Sequence, residues 1–300
     1  MMKNGVVLVP TDFEELSDRA LEEARQVAEA LAAELCILHA LPTTPDFAAS
    51  SVASSLVGRG EEIIGATVRA LEQRAEVGDD TSTMLREGDP SAAILAAIDE
   101  VHPTLVVMGT HGRRGLSRLV LGSVAETVLR KSPVPVMTVN AHTAESSAGS
   151  DPGAPILVPM DFGPAAEQAL ALARDLGREL RAGLCLLHVD QLFVANPEMG
   201  NVYAAAAEAD LEEAERYLDE RSYAIGGART LLREGEAATE ILATIEELRP
   251  RLVVMGTHGR SGLARLAFGS VAERVVRQSE APVLTVRAQR GASKNAGAAA

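Results

Sequence analysis

Two stretches of this 300-residue chain combine the residue types that hold phosphate. GTHGRRGLSRLVLGS, residues 109–123, returns 147 positions later as GTHGRSGLARLAFGS, residues 256–270. Glycines at 109, 112 and 122, and again at 256, 259 and 269, omit side chains where a backbone approaches something closely or takes a positive φ. A helix is expected to start at Ser123 and at Ser270. Its first amides lack partners inside the helix, and about half a positive charge of helix dipole stands behind them, so they suit an anion. Local charge agrees. Residues 109–131 hold Arg113, Arg114, Arg118, Arg130 and Lys131 against Glu126, and residues 256–278 hold Arg260, Arg265, Arg274 and Arg277 against Glu273.

Each feature also has a plainer explanation. Ser123 with Glu126, and Ser270 with Glu273, spell a capping box that closes a helix end without any ligand. Asp12 and Asp161 follow apolar runs and suit helix caps. His39 and His188 end apolar strands and fit satisfied core histidines, while His111 and His258 suit loop-holding hydrogen bonds better than acid–base chemistry. No HxxxH or CxxC pair suggests a dedicated metal site. GxxxxGK[ST] is missing, and with it the lysine that reaches terminal phosphates in P-loop enzymes. GTHGRRG is also not the GxGxxG of dinucleotide enzymes.

The elements that position these residues occur twice. GVVLVPTDF, from residue 5, matches APILVPMDF, from residue 154, and LCILHA matches LCLLHV, both at an offset of 149; from Gly88 and Gly235 onward the offset is 147. Residues 109–139 and 256–286 share 21 identities. This is a tandem duplication. Short apolar runs (VVLVP, CILHA, MLRE, LVVMG, PVMTV) read as strands. Residues 13–33, 60–76, 90–101 and 123–131 read as helices. Strand and helix alternate with short connections, which predicts an α/β fold: in each copy a doubly wound, five-stranded parallel sheet flanked by helices. Ligands of such sheets sit at the carboxyl ends of the strands. The expected organisation is a first domain over 1–140, a flexible linker over 141–154, a second domain over 155–287 and a disordered tail over 288–300.

Composition excludes several partners. A formal net charge of −14 opposes general affinity for nucleic acid or for an anionic membrane surface. No apolar run approaches the roughly 20 residues that span a bilayer. With 47% hydrophobic but only 3% aromatic residues and no Trp, the cores must rest on Val, Leu, Ile and Ala. Cys36 and Cys185 lie inside matching apolar runs and read as small buried hydrophobes, so a cytoplasmic protein is expected.

GxxG, nine residues, then GS, present in both copies, resembles the nucleotide-binding signature of the universal stress proteins of the ATP-binding type. VPTDF, the ILH or LLH strand and the closing PVPVMTV or APVLTV fit as well. The resemblance implies a Rossmann-like, adenine nucleotide alpha hydrolase-like fold with strand order 3-2-1-4-5 per domain. It also implies an intramolecular pseudo-dimer of the two domains, with their last strands antiparallel; homodimerisation of the whole chain is left open. By position, Pro10, Thr11 and Asp12 would meet the nucleoside, Ala40 and Met108 would line the adenine slot, and Gly109, Gly112, Gly122, Ser123 and Val124 would contact phosphates, with Arg113 beside them. The second copy supplies Pro159, Met160, Asp161, Val189, Met255, Gly256, Gly259, Arg260, Gly269, Ser270 and Val271. Thr11 is replaced by Met160, and the missing hydroxyl is expected to weaken the second site. The cofactor so implied is ATP, with any Mg²⁺ carried on its phosphates. The function implied is that of a stress-response nucleotide sensor or regulator. Slow ATP hydrolysis or autophosphorylation, and a nucleotide-independent scaffold, stay as alternatives; the downstream partner is not named by the sequence.

Overall fold

The computed structural model describes residues 5–41, 53–75, 80–110, 121–145, 153–190, 200–257 and 268–287. Two compact units divide the chain, Met1–Ala144 and Glu145–Ala300. In the first, β1 (Val6–Pro10), α1 (Glu15–Leu31), β2 (Glu34–Leu41), α2 (Ala53–Ala75), β3 (Thr81–Glu87), α3 (Pro90–Val101), β4 (Leu105–Gly109), α4 (Ser123–Lys131) and β5 (Val136–Val139) follow in order. A short helix, α5 (Ala141–Glu145), follows and spans the boundary after Ala144. The second unit repeats the plan with β6 (Ile156–Pro159), α6 (Pro164–Leu180), β7 (Leu184–Asp190), α7 (Gly200–Ala224), β8 (Arg229–Glu234), α8 (Ala237–Leu248), β9 (Leu252–Gly256), α9 (Ser270–Gln278) and β10 (Val283–Val286).

Within the first unit the strand order is β3-β2-β1-β4-β5, and within the second it is β8-β7-β6-β9-β10. Each neighbouring pair inside a unit is parallel, in register Val6↔Glu34 for β1 and β2 and Val7↔Leu105 for β1 and β4. β1 and β4 are adjacent yet distant in sequence, so the chain reverses its winding between them, and a crevice opens at their carboxyl ends.

The strands read as unbroken apolar runs because helices cover both faces. In β1 and β4, Val7, Leu8, Val9, Leu105, Val106 and Val107 are wholly buried. Against them α1 turns Ala20, Leu21, Ala24, Val27, Ala28 and Leu31, the spacing of one helical face. α1 packs mainly on β4 and β1, and α3 mainly on α4 and β2. Each buried Leu or Val contributes about 1.5–3 kcal/mol. Small Ala side chains let helix and sheet approach closely, which matters at the site described below.

Two expectations need correction. α2 begins at Ala53, seven residues before the helix read from apolar spacing, because its first turns carry Ser, Gly and Arg with little periodic signal. The stretch expected to be a flexible linker opens with α5. Buried Asn140 starts it by accepting the Thr143 amide on Oδ1 at 3.0 Å, so a polar composition hides a cap and a helical turn. Residues 288–300, expected to be a tail, lie outside the described residues.

Candidate functional site

β1 and β4 end side by side, at Pro10 and Gly109, and both chains then leave the sheet at the same edge. Beyond β4 the Thr110 amide donates to the Val139 carbonyl of β5 at 3.0 Å, and the Thr110 carbonyl accepts from the Gly122 amide at 2.8 Å. The second copy repeats this with Thr257, Val286 and Gly269 at 2.9 Å each. Thr110 and Gly122 therefore meet, and α4 starts beside the end of β4. Gly112 and Arg113, and Gly259 and Arg260 with them, belong to 111–120 and 258–267, outside the described residues; so do His111 and His258.

The start of α4 differs from the capping box that the sequence suggests. The N-cap is Gly122, at φ −65° and ψ 144°, and among the described residues no side chain caps the helix. Ser123 is the first helical residue and is exposed. A capping hydroxyl must sit on the extended residue before the helix, and that residue here has no side chain. Glu126 turns instead to Arg130 at 2.8 Å. α9 matches, with Gly269 at φ −65° and ψ 143°, Ser270 exposed and Glu273 paired with Arg277. The leading amides, of Ser123, Val124 and Ala125 and of Ser270, Val271 and Ala272, have no acceptor inside their helices. Both helix starts thus present, at the carboxyl edge, a positive dipole end and donors that no side chain among the described residues caps.

Packing explains Gly256, whereas Gly109 makes a looser close approach to a helix. A Cβ at Gly109 would stand 3.2 Å from Leu16 Cγ and 3.4 Å from the Leu16 carbonyl carbon; at Gly256 it would stand 2.7 Å from Ala165 Cβ and 3.0 Å from the Ala165 carbonyl carbon. Leu16 and Ala165 lie in the first turns of α1 and α6. The close approach inferred from sequence is to a helix of the same unit. Met108 and Met255, one residue earlier, are buried.

At the end of β1, Thr11 is buried, and its hydroxyl serves the turn. Thr11 Oγ1 accepts the Phe13 amide at 3.0 Å and lies 3.1 Å from Ser17 Oγ, which itself donates to the Glu14 carbonyl at 2.8 Å. Since the Ser17 proton goes to Glu14, Thr11 donates to Ser17 and has no proton left for a ligand. Met160 is likewise buried. The Thr-to-Met difference therefore changes the inside of a turn. Asp12 Oδ1 accepts the Glu14 amide at 3.2 Å, and Asp161 Oδ1 accepts the Gly163 amide at 2.9 Å. Glu14 and Gly163 are the N-cap residues of α1 and α6, so each aspartate braces the turn before its helix. Ala40 and Val189 sit on the neighbouring strands, in register with Arg86 and Arg233.

Residues that sequence reasoning passed over complete this edge. Phe13 has φ 66° and Phe162 φ 62°, left-handed values uncommon for a bulky side chain. Phe13 stacks on His39 at 4.3 Å between centroids, and Phe162 on His188 at 4.4 Å. Each imidazole is fixed by Nδ1, which donates at 2.7 Å to the carbonyl of residue 11 or 160. Arg74 of α2 lies 4.8 Å over the Phe13 ring and holds Asp18 through two bonds of 2.8 and 3.0 Å. In the second unit Tyr217 meets Phe162 edge-on at 4.2 Å, Arg221 lies over Tyr217, and both reach Glu167. The signal was present, since Phe, His, Asp or Glu, and Arg recur at the repeat offsets. It was dispersed over 60 residues.

Burial pushes the Cys36 and Cys185 thiols up from their ordinary range, as expected of buried hydrophobes. Among the described residues, no group of three His, Cys, Asp or Glu side chains is placed to hold a metal ion, and no helix is long and apolar enough to cross a membrane.

A family model described as the universal stress protein family matches residues 3–140 and again residues 154–287. The universal stress protein Rv2005c of Mycobacterium tuberculosis is 31% identical over 187 residues, which span 61% of this chain and 61% of that protein. A universal stress protein of Mycolicibacterium smegmatis is 27% identical over 300 residues, 94% of this chain and 96% of the relative. Among solved structures, that of a universal stress protein from Archaeoglobus fulgidus has a TM-score of 0.68 at 23% identity, covering 95% of this chain and 98% of the other, a likeness of fold.

Proposed function

Since the chain belongs to the universal stress protein family, we propose that each of its two units binds ATP at the carboxyl edge between its first and fourth strands, and that the protein acts as a nucleotide-responsive regulator in the stress response. The observation that carries this reading is the pair of uncapped helix starts, at Gly122 and Gly269, each beside the end of the strand that neighbours Asp12 or Asp161. The α4 and α9 amides would take phosphate oxygens, with any Mg²⁺ carried on the phosphates. Asp12 and Asp161, in the turns that follow β1 and β6, would accept from ribose hydroxyls. The buried thiols fit the reducing cytoplasm, where ATP is abundant.

Binding is the favoured activity, and catalysis is not part of the reading. No lysine stands in a P-loop pattern. A sensor needs only an affinity difference between states, and ATP at a hundred times its Kd would add about 2.7 kcal/mol of apparent stability.

Native mass spectrometry and calorimetric titration with Mg·ATP test this. Two nucleotides per chain are expected. In Gly122→Val with Gly269→Val, ATP affinity is expected to fall at least tenfold, on the order of 1.4 kcal/mol. Valine adopts φ near −65° without strain, so the melting temperature should hold. Unchanged affinity in that variant refutes the proposal.

A further inference from the structure

The left-handed phenylalanines stand out because the same cost is met twice. Phe13 and Phe162 occupy a conformation that L-residues avoid, and each copy surrounds the ring with fixed groups. In the first unit the ring lies against His39, tethered to the Thr11 carbonyl, and under Arg74, tethered to Asp18. In the second it lies against His188 and Tyr217, and Tyr217 is held by Glu167 and Arg221. The histidine, the acid and the arginine recur in both copies, but Ala70 stands in the first copy where Tyr217 stands in the second. What both copies preserve is a clamped ring on a left-handed backbone.

That twist falls on the residue after Asp12 or Asp161. The aspartate carboxylate already reaches past it, to the amide of Glu14 or Gly163, so the direction of the aspartate depends on the left-handed residue between them. We propose that Phe13 and Phe162 are positioning residues. Clamped between the β2 or β7 histidine and the α2 or α7 side chains, each holds the left-handed turn that aims the preceding aspartate at the nucleoside. The assignment rests on the ATP reading above and adds a division of labour to it. The helix starts hold the phosphates, and the clamp acts only on the nucleoside half.

Substitution pairs made in both units separate these roles, with affinity for ATP and for inorganic tripolyphosphate measured by titration calorimetry. Phe13→Ala with Phe162→Ala removes the clamp but keeps a residue that disfavours the turn, and ATP affinity is expected to fall about tenfold. Phe13→Gly with Phe162→Gly removes the same ring but adopts the turn freely, and should recover most of that loss. Tripolyphosphate affinity should stay unchanged throughout. Equal losses in the alanine and glycine pairs would make the ring a simple wall and overturn the assignment. Parallel losses for ATP and tripolyphosphate would make it merely structural, and unchanged ATP affinity would remove it. Absence of tripolyphosphate binding by a wild type that binds ATP would overturn the division of labour. If the phenylalanine variants do not melt cooperatively, Arg74→Met with Tyr217→Leu decides: a threefold or greater loss for ATP alone supports positioning, and no loss refutes it. A wild type that binds no ATP sinks the functional reading itself, a result distinct from a wild type that binds and variants that bind equally well.

Discussion

Alanine at position 256 would place a methyl 2.7 Å from Ala165 Cβ, 3.0 Å from the Ala165 carbonyl carbon and 3.1 Å from the Ala166 nitrogen. Carbon atoms in contact prefer about 3.5–4.0 Å, so α6 must retreat by on the order of 1 Å. Two of the three obstacles are backbone, and no rotamer change relieves them. α6 holds the sheet through Ala165, Ala166, Ala169, Leu170, Ala173, Leu176 and Leu180, all buried, and a shift of that size forfeits part of their contact energy. Overpacking of this kind costs about 1–3 kcal/mol. The lower chain entropy of unfolded alanine offsets about 0.4–1 kcal/mol, leaving a net loss of about 1–2 kcal/mol. Gly109→Ala provides the control. Its new methyl meets the Leu16 side chain at 3.2 Å and backbone no closer than 3.4 Å, so Leu16 can yield and the net change should lie within about 0.5 kcal/mol of zero. Neither glycine has a left-handed φ, so strain enters neither estimate. For a unit of this size 1 kcal/mol shifts Tm by about 2–4 °C. Scanning calorimetry should therefore show Gly256→Ala lowering the transition of the second unit by about 2–8 °C, with Gly109→Ala within about 2 °C of wild type. Equal shifts, or intact melts accompanied by lost ATP binding in both variants, would mean that these glycines make room for a ligand and would refute the packing account.

Three further predictions follow from the turns, caps and thiols. Met160→Thr should not tighten ATP binding, because the hydroxyl it restores faces the turn. With Ala166 where the first copy has Ser17, that hydroxyl also lacks its acceptor, so Tm should fall, and adding Ala166→Ser should restore part of the loss. Asp89 and Glu236 are held below the ordinary carboxylate range, Asp89 first by the Ser91 hydroxyl and then by the Ala92 amide, Glu236 first by the Thr239 side chain. A depressed folded pKa means that their stabilisation is full above the unfolded value and lost as pH falls through the folded one. Melting scans from about pH 5 to pH 3 should therefore show declining Tm, less steeply in Asp89→Asn with Glu236→Gln. Cys36 and Cys185, buried and with raised pKa, should not react with a thiol reagent in the native state at pH 8, and both should react in denaturant.

The duplication, the alternation of strand and helix, and α3 and α4 to the residue were legible along the chain, because period and punctuation are local properties. Pro90 opens α3, and the SPVP stretch ends α4. The helix start at Ser123 was also legible, but its cap was not. The SxxE pattern suits a capping box equally well, and only the extended backbone at Gly122 shows that the serine has already entered the helix. Likewise a glycine announces that something comes close, without saying what; placing Leu16 and Ala165 against Gly109 and Gly256 required the tertiary packing of the first helix on the fourth strand. The same holds for Thr11, whose hydroxyl can be counted in the sequence but whose one proton is assigned only by the position of Ser17. The Phe13, His39, Asp18 and Arg74 assembly joins a turn and three elements across about 60 residues, and no local pattern encodes such a contact. Composition and period decide which elements form, because those depend on neighbours along the chain. Which polar groups remain available at the carboxyl edge depends on neighbours in space, and that was settled by folding alone.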